Sequence, residues 1–270
     1  MDSPAKLTSL FECIFGTIPE TTSIMQLSII GERFSEIPYE NLTKIIRAYT
    51  MDEPESRMRR PVEILMDYQR YRTGGTCFAL TNCFRDILKG YGYDTWTHMA
   101  DLGNGRNNHC ALSLSLNDRR FLLDPGYLIT HPLPLPDTGS IIHNTRLYPV
   151  RLEYDPLMGG YYLSTLEPQG EKFRYCLKKT PCDEQSFKRF WMDSFSWPMM
   201  NSILITRFDS QGRLYVHDRY LRLESMSNKS TKKIKENYDT ILSNITGINC
   251  DIITKARLYL SEFKRKLREN

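Results

Sequence analysis

The strongest constraint in the chain is a change of hydrophobic period at Gly90. Before it, apolar residues recur at three and four spacing, in Leu7, Leu10, Phe11 and Ile14 and again in Val62, Ile64, Leu65 and Tyr68. That is the period of helices that bury one face. After it, leucines at 112, 114 and 116 alternate with small or polar residues, which is the period of a strand. Strand-like stretches follow at 121–124, 161–166, 173–177, 203–208 and 214–220, with turn residues at Gly159-Gly160 and Asp209-Ser210-Gln211-Gly212. Ile241, Leu242 and Ile245 before Gly247, then an amphipathic stretch over 252–267, return to helix. The order helix, strand, helix predicts an α+β fold whose middle is a sheet or barrel.

Length and charge leave room for an enclosed site and exclude some partners. A chain of 270 residues buries a sizeable core. The net charge of +4 is small for that length, and the basic runs at Lys229–Lys235 and Lys264–Arg268 read as solvated faces, not nucleic-acid sites. With no apolar run of membrane length and no leader pattern, a soluble cytoplasmic protein without membrane partners is expected. Seven cysteines without a C-x-x-C pair predict reduced thiols and no metal site.

One cysteine stands apart. Cys77 follows Gly74-Gly75-Thr76 and opens a helical pattern formed by Leu80, Phe84, Ile87 and Leu88, with Gly90 as its stop. A helix N-terminus favours the thiolate through its unpaired N–H groups and dipole, and glycines allow the backbone to turn tightly. A nucleophilic cysteine needs a histidine and a group that orients it. If Asn117-Asp118 is a two-residue hairpin turn, Leu116 pairs with Arg119 and Ala111 with Asp124, so His109 and Asp124 become diagonal neighbours on one face. Singly, each residue has a structural reading, and the combination makes Cys77 the predicted nucleophile. The other histidines lack a carboxylate at a readable spacing. Cys13, Cys83, Cys110, Cys176, Cys182 and Cys250 read as packing residues.

These residues resemble the arylamine N-acetyltransferase family, whose members carry Arg-Gly-Gly-x-Cys, a downstream His, and Asp-x-Gly. Here they are Thr73-Gly74-Gly75-Thr76-Cys77, His109 and Asp124-Pro125-Gly126-Tyr127. Ile37-Pro38-Tyr39-Glu40-Asn41-Leu42 is similar to the family's Pro-Phe-Glu-Asn-Leu, and Ser196-Trp197-Pro198 with Asn201-Ser202 extends the match. The resemblance implies a cysteine proteinase-like fold: a helical bundle over 1–90 with the cysteine, an antiparallel β-barrel over 91–195 with His and Asp, and an α/β lid over 196–270. It implies ping-pong acetyl transfer from acetyl-CoA, a co-substrate with no permanently bound cofactor, through a Cys77 thioester to an arylamine, hydrazine or N-hydroxyarylamine. His109 would be the general base and Asp124 would hold its tautomer. Tyr39 and Tyr127 would line the acceptor pocket, and Asn201 and Ser202 would contact CoA.

The sequence departs from the family pattern at Thr73 for the motif arginine, at Ala79 for a glutamate, and at Pro125. The first two remove charges beside the nucleophile, and Arg72 is the nearest substitute, one position out of register. Gly75-Thr76-Cys77 and Leu123-Asp124-Pro125 also resemble transglutaminase-like and other papain-like hydrolases. An amide synthase that acts on a carrier-bound acyl chain and a catalytically inert binding module complete the alternatives.

Overall fold

The computed structural model describes residues 3–20, 23–103, 105–209 and 212–269. The first third is helical: α1 (Pro4–Phe15), α2 (Ile24–Phe34), α3 (Leu42–Thr50), α4 (Pro61–Tyr71) and α5 (Cys77–Gly90). Their starts have local causes. Ser3 and Ser23 cap α1 and α2 by accepting the N–H groups of Lys6 and Gln26, and prolines occupy the first position of α1 and α4, where the missing N–H has no cost. Between α2 and α3, a two-residue strand β1 (Tyr39–Glu40) interrupts the helices.

Past Gly90 the chain is almost wholly strand: β2 (Thr95–Leu102), β3 (His109–Leu116), β4 (Arg119–Asp124), β5 (Ile129–Pro134), β6 (Ser140–His143), β7 (Val150–Asp155), β8 (Gly160–Glu167) and β9 (Gly170–Lys178). These pair in the order β5-β4-β3-β2-β9-β8-β7-β6, every pair antiparallel, as a nearly closed barrel. Asn117 and Asp118 both have positive φ, the conformation of a tight hairpin turn. The register beside them runs from Leu116↔Arg119 to Leu112↔Leu123.

After α6 (Glu184–Asp193) come β10 (Leu204–Asp209), β11 (Gly212–His217), β12 (Tyr220–Glu224), β13 (Lys229–Lys233), α7 (Tyr238–Thr246) and α8 (Cys250–Glu269). The second sheet has the order β1-β10-β11-β12-β13. One sequence expectation changes here. The strand expected over 214–220 is two strands, because Asp218 takes a left-handed φ of 49° and turns the chain. The basic run from Lys229 begins as strand β13, whose lysines are exposed as expected, and Lys229 also pairs with the buried Glu224 at 3.1 Å. Ser210, Gln211 and the side chains beyond Arg265 lie outside the described residues.

Apolar packing forms three cores among the described residues. Strand alternation on β3 sends Cys110, Leu112 and Leu114 to a core shared with the α1, α2, α4 and α5 helices, and Ala111 to the barrel interior with Leu122, Leu163 and Tyr175. The third core joins Leu42 and Ile45 of α3 to β10–β12, α7 and α8.

Candidate active site

Cys77 occupies the first position of α5, with Thr76 as an N-cap whose side chain makes no capping bond. The N–H groups of the first turn therefore face outward without a side-chain acceptor. The preceding turn is held at every backbone polar group. The Gly75 N–H donates to the Pro38 carbonyl at 3.4 Å, and the Gly75 carbonyl accepts from the Glu40 N–H at 3.0 Å. The Gly74 N–H donates to Glu40 Oε1 at 3.2 Å, and the Gly74 carbonyl accepts from Arg59 Nη1. A Cβ on Gly74 would lie 1.8 Å from the Pro38 carbonyl oxygen, so only glycine permits this approach.

Arg59 resolves the departure at position 73. Thr73 is fully buried, and Arg72, the expected substitute, caps α4 with a left-handed φ of 58° and stacks on Tyr68, away from the turn. Arg59 instead reaches the Gly74 carbonyl, donates to Thr43 Oγ1 at 3.1 Å and pairs with Asp67 at 2.7 Å. Glu40, fully buried, accepts from the Thr43 hydroxyl and N–H at 2.6 and 2.9 Å. An arginine far upstream in sequence thus clamps the turn. Only the three-dimensional course of the chain brings it there.

His109 opens β3 and Asp124 ends β4. His109 Nε2 lies 2.7 Å from Asp124 Oδ2, and Asp124 Oδ1 accepts the Tyr127 N–H at 3.0 Å, which leaves both carboxylate oxygens engaged. The imidazole further packs against the rings of Tyr175 and Tyr127, at 4.9 and 5.2 Å, which also touch each other. A Cβ on Gly126 would meet Cys77 Cβ at 2.7 Å and His109 Cε1 at 2.8 Å. The glycine of Asp124-Pro125-Gly126 therefore fills the narrow gap between nucleophile and imidazole.

Electrostatics favour an ion pair. Contact with the Cys110 thiol, opposed by burial and aided by the bond to His109 and its charge, holds the Cys77 thiol well below the ordinary cysteine range. Burial alone would lower His109, and the Asp124 charge and hydrogen bond with the Cys77 contact outweigh it, raising His109 to about 10. Imidazolium and thiolate are then the paired forms at neutral pH.

Two partners escaped sequence reasoning. Cys110, expected only to pack, lies near enough to Cys77 to bear on its charge, whereas Cys13, also expected to pack, is exposed. Lys44 on α3 is buried, donating to the Ser194 carbonyl and hydroxyl at 2.9 and 2.6 Å under the rings of Phe195 and Trp197. Burial lowers it to about 8, against the pull of Cys77. A lone lysine in an amphipathic helix carries no mark of such burial.

A cavity of about 750 Å³ opens onto Cys77 and His109, walled by Tyr39, Tyr127, Trp197 and Tyr215. Among the described residues its lining holds Arg106, Lys172, Arg174, Arg213 and Arg222 and no carboxylate. Arg174 and Arg213 pair with Glu167 and Glu224. Asn201 and Ser202 do not line it: Asn201 is exposed, and the Ser202 carbonyl accepts from the Asn41 amide at 2.7 Å.

The family model described as N-acetyltransferase matches residues 25–255. The chain belongs to the N-acetyltransferase family. The solved structure of arylamine N-acetyltransferase C from Bacillus anthracis is 17% identical, with a TM-score of 0.75 over 92% of this chain and 100% of that one. The Mycobacterium marinum arylamine N-acetyltransferase in complex with CoA is 15% identical, with a TM-score of 0.80 over 94% and 98%. A Bacillus cereus arylamine N-acetyltransferase described as having a Cys-His-Glu triad is 18% identical, with a TM-score of 0.72 over 92% and 100%; here the third position is Asp124. No curated protein sequence matches the chain significantly. No described helix of this acetyltransferase is long and apolar enough to cross a membrane.

Proposed function

We propose that the protein moves an acetyl group from acetyl-CoA to an arylamine, hydrazine or N-hydroxyarylamine by a ping-pong mechanism with Cys77 as the acyl carrier. The observation that carries this reading is the Cys77–His109–Asp124 arrangement at the inner end of the cavity. The Cys77 thiolate attacks the acetyl carbonyl, and the first-turn N–H groups of α5 stabilise the oxyanion. As the tetrahedral intermediate collapses, the CoA sulfur leaves and takes the His109 proton. The acceptor nitrogen then attacks the thioester, neutral His109 takes its proton, and the thiolate is regenerated. Asp124 holds the imidazole in the tautomer that this requires.

The lining supports the substrate pair. Arg106, Lys172 and Arg222, beside the ion-paired Arg174 and Arg213, suit a donor carrying several phosphate charges, and the Tyr39 and Tyr127 rings suit a flat aromatic acceptor. Asn201 and Ser202 would meet the donor only beyond Pro198 and Met199, which line the cavity. The division into 1–90, 91–195 and 196–270 is part of the same proposal: one core lies wholly within the second range, another lies in the third apart from Leu42 and Ile45 of α3, and the helices share theirs with β2–β4 and α6. Seven unpaired thiols fit a reducing, cytoplasmic location.

Intact mass spectrometry after mixing with acetyl-CoA alone tests the reading. One acetyl group on Cys77, discharged on adding an arylamine and absent from Cys77→Ala, is the expected result. Transfer that requires both substrates together, with no acetyl-Cys77 formed, would reject it.

A further inference from the structure

Acetyl transfer makes and breaks no bond at Cys110, yet the fold delivers it to the side of Cys77. Helix α5 packs across β3, and strand alternation turns Cys110 toward that helix and into the core that contains Cys77. The Thr81 hydroxyl, one helical turn beyond Cys77, donates to the Cys110 carbonyl at 3.3 Å and ties the two backbones together. Both side chains enter the same core at this crossing, and the two thiols are near enough to influence each other's charge. Their access differs: Cys77 lines the cavity, whereas Cys110 is fully buried and does not. A small oxidant entering the cavity therefore meets Cys77 first, and Cys110 is reached only through it.

We infer that Cys110 is a resolving thiol, closing a disulfide with Cys77 after hydrogen peroxide has oxidised Cys77. The inference rests on reading Cys77 as a thiolate nucleophile. In the first step the Cys77 sulfur attacks one peroxide oxygen. The S–O bond forms as the O–O bond breaks, and the departing hydroxide takes the His109 proton and leaves as water. Cys77 is now a sulfenic acid. Its sulfur is next attacked by Cys110. The S–S bond forms, the S–O bond breaks, and the hydroxyl leaves with the Cys110 proton as a second water. The net change is two thiols and one peroxide to one disulfide and two waters. A dithiol reverses it by exchange, so the nucleophile is held in a recoverable state and spared the irreversible sulfinic and sulfonic acids.

The remaining thiols do not compete at this site. Cys83 is buried, and contact with the Pro61 carbonyl occupies it, while Cys13 is exposed on α1 and could link only between molecules.

Treatment of the full chain with hydrogen peroxide, followed by non-reducing peptide mapping and assay before and after dithiothreitol, tests the inference. The wild type is expected to lose two hydrogens, to yield a Cys77–Cys110 linked peptide, and to recover about nine-tenths of its activity. Cys110→Ala is expected to gain two or three oxygens on Cys77 and to recover less than about one-fifth of its own starting activity. Oxygen addition on wild-type Cys77 without the linked peptide, or equal recovery in Cys110→Ala, would overturn it. The wild-type map decides the matter even if the variant does not fold. Acetyl-Cys77 formation by untreated protein is measured alongside, so that failure of the acetyl-transfer reading is seen separately.

Discussion

Replacing Gly126 with alanine adds one methyl group against both Cys77 and His109. Carbon atoms in contact sit roughly 3.5–4.0 Å apart, whereas the new Cβ would lie 2.7 Å from Cys77 Cβ and 2.8 Å from His109 Cε1. Relief demands that nucleophile and imidazole separate by about 1 Å. The backbone at Gly126 is not left-handed, so the cost is steric and confined to the site. A misplacement of about 1 Å costs roughly 100-fold in rate, or about 2.7 kcal/mol of barrier. Rapid-quench mass spectrometry of acetyl-Cys77 formation gives that rate directly, with circular dichroism and a urea melt to show that the fold persists. Acetylation of a folded Gly126→Ala protein within about threefold of wild type would refute the claim that this glycine sets the Cys77–His109 spacing.

Asp124→Asn keeps the shape but removes the charge that raises His109; acetyl-Cys77 formation should fall roughly 10³- to 10⁴-fold by analogy with serine triads, read by the same quench assay. The rate of Cys77 alkylation by iodoacetamide should be lost only as pH falls through a midpoint well below the free-thiol value of about 8.5, because the thiolate is the favoured form in the folded site. Acetyl transfer should instead decline as pH rises through about 10, where His109 gives up its proton. Arg59→Met removes the clamp on the Gly74 carbonyl and leaves buried acceptors unpaired, at about 3 kcal/mol of stability in a urea melt. Lys44 falls from the ordinary 10.5 to about 8, so its burial opposes folding most below pH 8 and ceases to do so toward pH 10.5. Lys44→Met should therefore raise stability at pH 7 by up to about 3 kcal/mol, while the Cys77 alkylation midpoint moves up as a neighbouring positive charge is lost.

Much of the barrel and the central site was legible because the signals are local. Period-two leucines announce β3, and the tight Asn117-Asp118 turn carries the register that brings His109 beside Asp124. Strand β5 was hidden by Pro132 and Pro134, residues that a strand tolerates at the edge of a sheet, which is where β5 lies. The 214–220 stretch looked continuous because Asp218 and Arg219 form a turn without glycine or proline. Arg59 and Lys44 were invisible for a different reason. Their roles depend on which distant segment their long side chains meet, and no spacing encodes that. Cys110 lies between these cases: its neighbour His109 was found, and alternation alone would have turned it toward α5.

The short strand β1 has a consequence for the order in which this protein becomes active during synthesis. Its Tyr39 and Glu40 pair with Thr206 and Ile205 of β10, and the Asn41 side chain that follows bonds Met199, Ser202 and Leu204. The same strand holds Gly75, just before the nucleophile. A nascent chain that has made its helices and its entire barrel thus carries cysteine, histidine and aspartate but lacks the sheet that seats the Gly74-Gly75 turn. The partner that completes β1, and with it the support of that turn, is made only when β10 is.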